Sequence, residues 1–347
     1  AYCGAENALP VAEGLAGYIA AKTDALSDDQ MQEVMKCEHG GINESFAELS
    51  ARTGNERWMA LAHRFHHKAV LDPLAQQEDE LAFIHANTQI PKVIGLARIY
   101  QLTGEPEART ASDFFWDTVT SQRSYVIGGH GDREYFQEPG AIAAYITEQT
   151  CESCNTYNMM KLTRFMFEEV PSSHYFDYYE RCHFNHILAQ HRPADGMFAY
   201  MVPLMSGAHR DFSTPYNDFW CCVGSGMESH SKHGDSIWWQ RDGRLTVNLY
   251  IPSTANWEQQ GATLSMETSY PETGEIAIRL DTLAAPRTFE LALRIPAWAQ
   301  DATLAVNGEP VPTEMGSDGY AVIEREWQAG DRVDLSLPFR LRMEATP

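Results

Sequence analysis

The sequence is short of positive charge. Its 347 residues hold 26 Lys and Arg against 48 Asp and Glu, a formal charge of −22. A nucleic-acid partner needs a basic footprint, so that class is excluded. The acidic excess fits a solvated surface and a neutral or cationic ligand. No apolar run reaches the length of a membrane span, so no membrane partner is expected. No signal peptide is visible. Also missing are the His-Glu-x-x-His pair of the zincins, the Gly-x-Ser-x-Gly elbow, the phosphate loop and the dinucleotide fingerprint. A disulfide framework is missing too. The seven cysteines are Cys3, Cys37, Cys151, Cys154, Cys182, Cys221 and Cys222, an odd count at irregular spacing. Neighbouring cysteines rarely bond to each other, so the Cys221-Cys222 pair asks for another explanation.

What is present suffices for one large domain or two ordinary ones. An aromatic share of 11% can fill a substantial core. The N-terminal two-thirds reads as helices, with a recurring unit: an apolar-periodic helix, a Thr-Gly-polar-Glu turn and a second helix. One copy turns at Gly54 and the next at Gly104. Glycine suits the left-handed residue that closes a helix. Pro106 and the acids after each turn suit the first turn of the next helix. A looser third hairpin turns around Pro171, and the remnant of an earlier one turns at Gly4. His63, His66 and His67 read as members of one helix. Repeated helical hairpins make an open solenoid or a closed ring. The connections are long and rich in His, Asn, Glu and Gly, which suits a ring with a site on one rim. An (α/α)6 toroid is therefore expected, occupying residues 1–243. The chain opens at Ala1 without an initiating Met and offers fewer helices than twelve, so it reads as a piece lacking its beginning. From Arg244 the period becomes alternating, as in strands. Asn307-Gly308 between two such runs signals a hairpin. Residues 244–347 are thus expected to form a β-sandwich, in part or whole.

Two segments carry the strongest chemical signal: "TCESCNTYN" and "NDFWCCVGSG". Glu152 and Cys154 stand just before a helix. Cys221 and Cys222 precede a Gly-rich turn into another. Three thiolates and a carboxylate suit tetrahedral zinc, and soft thiolates select Zn²⁺ over Mg²⁺ or Ca²⁺. Cys151 competes as a ligand, since Cys151, Cys154, Cys221 and Cys222 would make a closed structural site. A metal that merely pins two loops is a serious alternative. Acid chemistry needs a carboxyl group, and Glu134 in "GDREYF" is a candidate. Its aromatic neighbours Tyr135 and Phe136 could desolvate it. An ordinary loop glutamate is the plainer reading.

"REYF", "CESCNTYNMMKLTR", "DFWCCVGSGMESHSKHGDSIW" and "LTVNLYIPS", in that order, resemble the glycoside hydrolase families 127 and 146, the β-L-arabinofuranosidases. "EHGGINE", "LDPLA" and "HANTQIPK" upstream are similar to the same group. The resemblance implies an (α/α)6 barrel followed by β-sandwich domains, and retaining hydrolysis of plant glycans by a zinc-bound cysteine. It implies Cys221 as nucleophile, Glu134 as acid/base, and Glu152, Cys154, Cys221 and Cys222 as Zn²⁺ ligands. It also points to His85, Glu180 and Tyr200 as sugar-binding groups, with Asn43, His39 and His230 as weaker candidates. The family's usual Glu-Thr-Cys is Glu-Ser-Cys here, and Cys151 is a further departure. Two competing readings are a sugar epimerase or lyase on the same toroid, and a noncatalytic carbohydrate-binding protein with structural zinc. A carbohydrate substrate suits a periplasmic or extracellular location, whereas reduced thiols also suit the cytoplasm. Oligomeric state has no signature in the sequence.

Overall fold

The structure is a computed structural model that describes residues 4–37 and 39–347. Cys3 lies outside the described residues. The chain forms two compact units. The first holds Ala1–Glu169, Phe184–Gly226 and the last two residues; the second holds Val170–His183 and Met227–Ala345. No helix among the described residues is long and apolar enough to cross a membrane.

The first unit is helical. It comprises α1 (Ala8–Thr23), α2 (Asp28–Met35), α3 (Ile42–Thr53), α4 (Glu56–Arg64), α5 (Lys68–Ala75), α6 (Ala86–Thr103), α7 (Pro106–Gln122), α8 (Ser153–Glu169) and the short α10 (Leu188–Gln190), followed by a ribbon of β1 (His191–Arg192) and β2 (Met197–Phe198). Gly54 and Gly104 close α3 and α6 with φ of 68° and 75°, the left-handed stop expected at these turns. Pro106 opens α7, where its missing N–H costs nothing. The α3–α4 and α6–α7 hairpins lie side by side, and α8 packs next on α6. This succession follows the toroid plan. α6 is buried on most of its circumference, with Ile90, Val93, Ile94 and Ala97 in the core. Gly95 allows the close approach of Asn43: a Cβ at Gly95 would fall 2.2 Å from the Asn43 amide. Asn43 donates to the carbonyl of Lys92, which ties α3 to α6.

The single helix expected through His63, His66 and His67 is not formed. α4 ends at Arg64, and His66 and His67 lie in the turn before α5. The turn wins because Gln32 binds both its ends, donating to the His66 carbonyl and accepting from the Lys68 N–H. Asp72 also holds the His66 ring, at 2.7 Å.

The second unit holds a helix, α9 (Ser173–Cys182), and two sheets. Their strands are β3 (Trp238–Arg241), β4 (Arg244–Val247), β5 (Ser253–Trp257), β6 (Ala262–Thr268), β7 (Glu275–Leu283), β8 (Arg287–Arg294), β9 (Thr303–Val306), β10 (Glu309–Val311), β11 (Tyr320–Trp327) and β12 (Arg332–Ser336). The six-stranded sheet runs β10-β9-β12-β7-β6-β5 and the four-stranded sheet β11-β8-β4-β3. The sheets face each other as a sandwich. Leu264, Ile278 and Leu280 of one meet Phe289, Leu291 and Trp327 of the other. Strand β3 begins before Arg244, where alternation was expected to start. Its adjacent Trp238 and Trp239 hide the alternating pattern. Asn307 and Gly308, both at positive φ, make the two-residue turn between β9 and β10, with Val306 opposite Glu309.

Candidate active site

Short bridges, not long elements, assemble the site. The segment around Asp132 pairs with Thr150, and Glu152 pairs with Met201. Cys151 donates its N–H to the Gly131 carbonyl and accepts from the Val202 N–H. Three loops are thereby laced edge to edge, and they carry Glu134, Glu152 and Tyr200. Arg133 and Glu134 both sit at positive φ, 51° and 73°. Two consecutive non-glycine residues in the left-handed region are costly and persist only when held from outside. The holding bonds are Ala86 N–H to the Glu134 carbonyl at 2.8 Å and Arg133 N–H to the Gln149 carbonyl at 2.9 Å.

Each half of the thiol cluster lies at a helix start. α8 begins at Ser153, directly after Glu152, and places Cys154 in its first turn. Cys221 and Cys222 open α11 (Cys221–Lys232). They stand in the helix itself, rather than before a Gly-rich turn as expected. Gly226 is helical and packs under the Phe198 ring, 2.4 Å from where its Cβ would be. The positive ends of two helix dipoles therefore face one anionic group. Glu152, Cys154, Cys221 and Cys222 bring one ligand atom each to within 4.8 Å of one another. The Glu152 Oε1 lies 3.9 Å from Cys221 Sγ and 3.8 Å from Cys222 Sγ. Ser225 stands 3.2 Å from Cys154 Sγ, and Gln190 donates to the Cys222 carbonyl at 2.7 Å.

This donor set fits a thiophilic divalent metal. Glu152 is 1% exposed, yet its Oε2 has no hydrogen-bond partner among the described residues. Burial, and then the neighbouring Cys221 and Glu134, push its carboxyl well above the usual range. A buried carboxyl crowded by thiols is costly unless a cation joins them. Cys151 is not part of the group. Its side chain packs with Tyr125 and Ile142 instead, so the alternative of four cysteines is not assembled. None of the described cysteines is disulfide-bonded.

The three thiols differ. Cys154 and Cys222 are buried, whereas Cys221 is exposed. Hydrogen bonds from the Cys154 and Cys222 thiols hold Cys221 down at about 2. The same contacts with Cys221 push Cys154 up, and those with Cys154 and Cys221 push Cys222 up. Cys221 is thus the most acidic of the three thiols and the one that solvent reaches.

Tyr200 lies beside it, its hydroxyl 3.9 Å from Cys221 Sγ and donating to Glu134 Oε1. Burial, and then that bond, push the Tyr200 phenol up, so it stays a donor. Trp220 holds the Tyr200 ring edge-on at 5.9 Å. His85 caps α6: its Nδ1 accepts from the Thr88 N–H at 3.3 Å and pairs with the Thr88 hydroxyl at 2.9 Å. That pattern leaves the ring proton on Nε2, which points to Glu134 Oε2 at 3.7 Å. The aromatic group that hydrogen-bonds to Glu134 among the described residues is Tyr200. Phe136, expected to desolvate it, is buried and stacks on His130.

Cys221, Tyr200, Glu134 and His85 are thus one chain of contacts. Glu180 belongs to the second unit, where its carboxylate pairs with the buried Arg294 guanidinium. Asn43 serves the α3–α6 contact described above. The ring of His39 lies 5.8 Å from that of His67, and the ring of His230 lies 5.6 Å from that of His233. Ser225, Gln190 and Trp220 were not singled out in the sequence. Ser225 follows Cys221 by four residues, the spacing of one helix face, and could have been found that way. Gln190 has no local signal.

The fold and the site together are of the toroid glycoside-hydrolase class. A family model described as β-L-arabinofuranosidase, GH127 catalytic domain, matches residues 1–235, and the GH127 middle domain matches residues 244–339. The chain belongs to glycoside hydrolase family 127. Among solved structures, one similar chain is a family 127 β-arabinofuranosidase, with 23% identity and a TM-score of 0.74 over 86% of this chain and 51% of that one. Another is the family 127 β-L-arabinofuranosidase from Geobacillus stearothermophilus T6, with 24% identity and a TM-score of 0.69 over 89% and 55%. These likenesses bear on the fold. The chain spans about half the length of the solved structures it matches. No curated protein matches it.

Proposed function

We propose that this protein is a retaining β-L-arabinofuranosidase acting from the chain ends of plant glycans, with Cys221 as nucleophile and Glu134 as acid/base. The observation that carries the reading is the Tyr200 hydroxyl in contact with both groups. One shared neighbour keeps sulfur and carboxylate close. That favours the roughly 5–5.5 Å of a double-displacement pair over the roughly 6.5–9.5 Å that leaves room for a water. A carbohydrate substrate suits a periplasmic or extracellular location on this reading.

Glu152, Cys154, Cys221 and Cys222 would hold Zn²⁺. When bound, the metal supplies the positive charge that keeps the sulfur ionised at neutral pH and eases its later departure. The Cys221 sulfur attacks the anomeric carbon, forming a C–S bond as the C–O bond breaks. The electron pair passes to the leaving oxygen, which takes the proton of Glu134. Glu134, now a carboxylate, removes a proton from water. The oxygen of that water attacks the same carbon and the C–S bond breaks, returning the thiolate. His85 and Tyr200 hold the Glu134 carboxylate from two sides and orient it.

Hydrolysis of p-nitrophenyl β-L-arabinofuranoside tests this, with the product anomer read by NMR. Cys221→Ser should lower kcat by at least about 10³-fold, and Glu134→Gln by about 10²–10⁴-fold. Inversion of configuration, or full turnover in Cys221→Ser, would sink the assignment.

A further inference from the structure

The second unit carries a groove of about 500 Å³ between the edges of its two sheets. That size falls within the roughly 300–1,000 Å³ of small-molecule sites. Strand β3 ends the four-stranded sheet and β5 the six-stranded one. The Trp238 indole N–H donates to the Ser253 hydroxyl at 2.9 Å, which fastens one edge to the other.

Three indoles line the groove: Trp238, Trp239 and Trp257. Trp257 is set by Phe289, whose ring meets it edge-to-face at 5.1 Å. It is 3% exposed, and its indole N–H is buried with no acceptor among the described residues. The rim carries the amides of Gln240, Asn256 and Gln259, all exposed. Each amide both donates and accepts, as a sugar hydroxyl does. The C–H face of a sugar ring packs on the electron-rich face of an indole. Glu258 is the only charged residue of the lining, and it is anionic. That disfavours a uronate, a phosphate or any other anion.

We propose that this groove is a noncatalytic binding site for a neutral glycan. None of its lining residues belongs to the thiol cluster, so the proposal stands apart from the hydrolytic reading.

The test uses the full chain in Cys221→Ser form, run in native gels containing arabinan, arabinoxylan or xyloglucan. At least one polysaccharide should retard it. Adding Gln240→Ala with Asn256→Ala should weaken that retardation about tenfold, the loss of two hydrogen-bonding amides. The same double change in the parent should leave p-nitrophenyl arabinofuranoside turnover and thermal melting unaltered. If the double variant melts early, Gln259→Ala repeats the test at the rim. Retardation by none of the three polysaccharides overturns the proposal. So does equal retardation with and without the amides, which would place all binding elsewhere. Loss of turnover in Cys221→Ser bears only on the thiol site, so the two proposals fail separately.

Discussion

Tyr200 gives its only hydroxyl proton to Glu134, although it also lies beside the Cys221 sulfur. A half-buried phenol that stays protonated can keep donating to Glu134 throughout the cycle. Tyr200→Phe removes that donor without emptying the space around the Trp220 ring. We expect kcat to fall by about 10²-fold with KM changed little, as when one preorganised donor is lost. Steady-state kinetics would show it. An unchanged kcat would mean that Glu134 is oriented by other groups.

Removing a buried member of the thiol set should cost metal before it costs fold. Cys154→Ala leaves two thiols and a carboxylate, one donor short of a tetrahedral set. Zinc should fall well below one equivalent by mass spectrometry, with Tm lowered by several degrees. A chelator should lower the Tm of the parent in the same direction. A parent that binds no zinc would contradict the expected ligand set.

Stability should depend on pH through two buried histidines. His130 and His186 are fully buried. Among the described residues neither ring nitrogen of His130 has a partner, and burial holds His130 at about 3 and His186 at about 4. Above about pH 6.5 neither the folded nor the unfolded chain protonates these rings, and they contribute no pH dependence. Below it the unfolded chain takes up protons that the folded chain refuses, so stability falls as pH falls. The loss continues until the folded values near 4 and 3 are reached. By pH 4.5 it should amount to about 2–3 kcal/mol per histidine. Urea melts at pH 7 and pH 4.5 measure it, and equal midpoints would refute it.

Gly129 is the point at which a single methyl group would disturb the base of the site. A Cβ there would meet His186 Nδ1 at 2.7 Å and Cys151 Cβ at 2.8 Å. Gly129→Ala should destabilise by about 1–3 kcal/mol, the cost of overpacking. Because Cys151 precedes Glu152 in the chain, metal affinity should fall with it. Denaturant melts and zinc titration together check the pair of effects.

Much of this was legible in the chain. Gly54, Gly104 and Asn307-Gly308 mark turns whose chemistry is local, and they occur where expected. The ligand pairs were legible because Glu152 with Cys154, and Cys221 with Cys222, are near neighbours in sequence. The partnerships that complete the site were not. Glu134 with Tyr200, and Cys222 with Gln190, join residues far apart through loop bridges that no periodicity announces. The role of Cys151 was open for the same reason: only its backbone, at φ 60°, decides that its side chain turns from the cluster. The burial of Arg294 against Asp177 and Glu180 likewise depends on a strand meeting a helix more than a hundred residues away.

Of the three thiols in the cluster, only Cys221 is exposed. An electrophile carried on an arabinofuranose ring would therefore have one atom to alkylate there. The label would count competent enzyme molecules one for one.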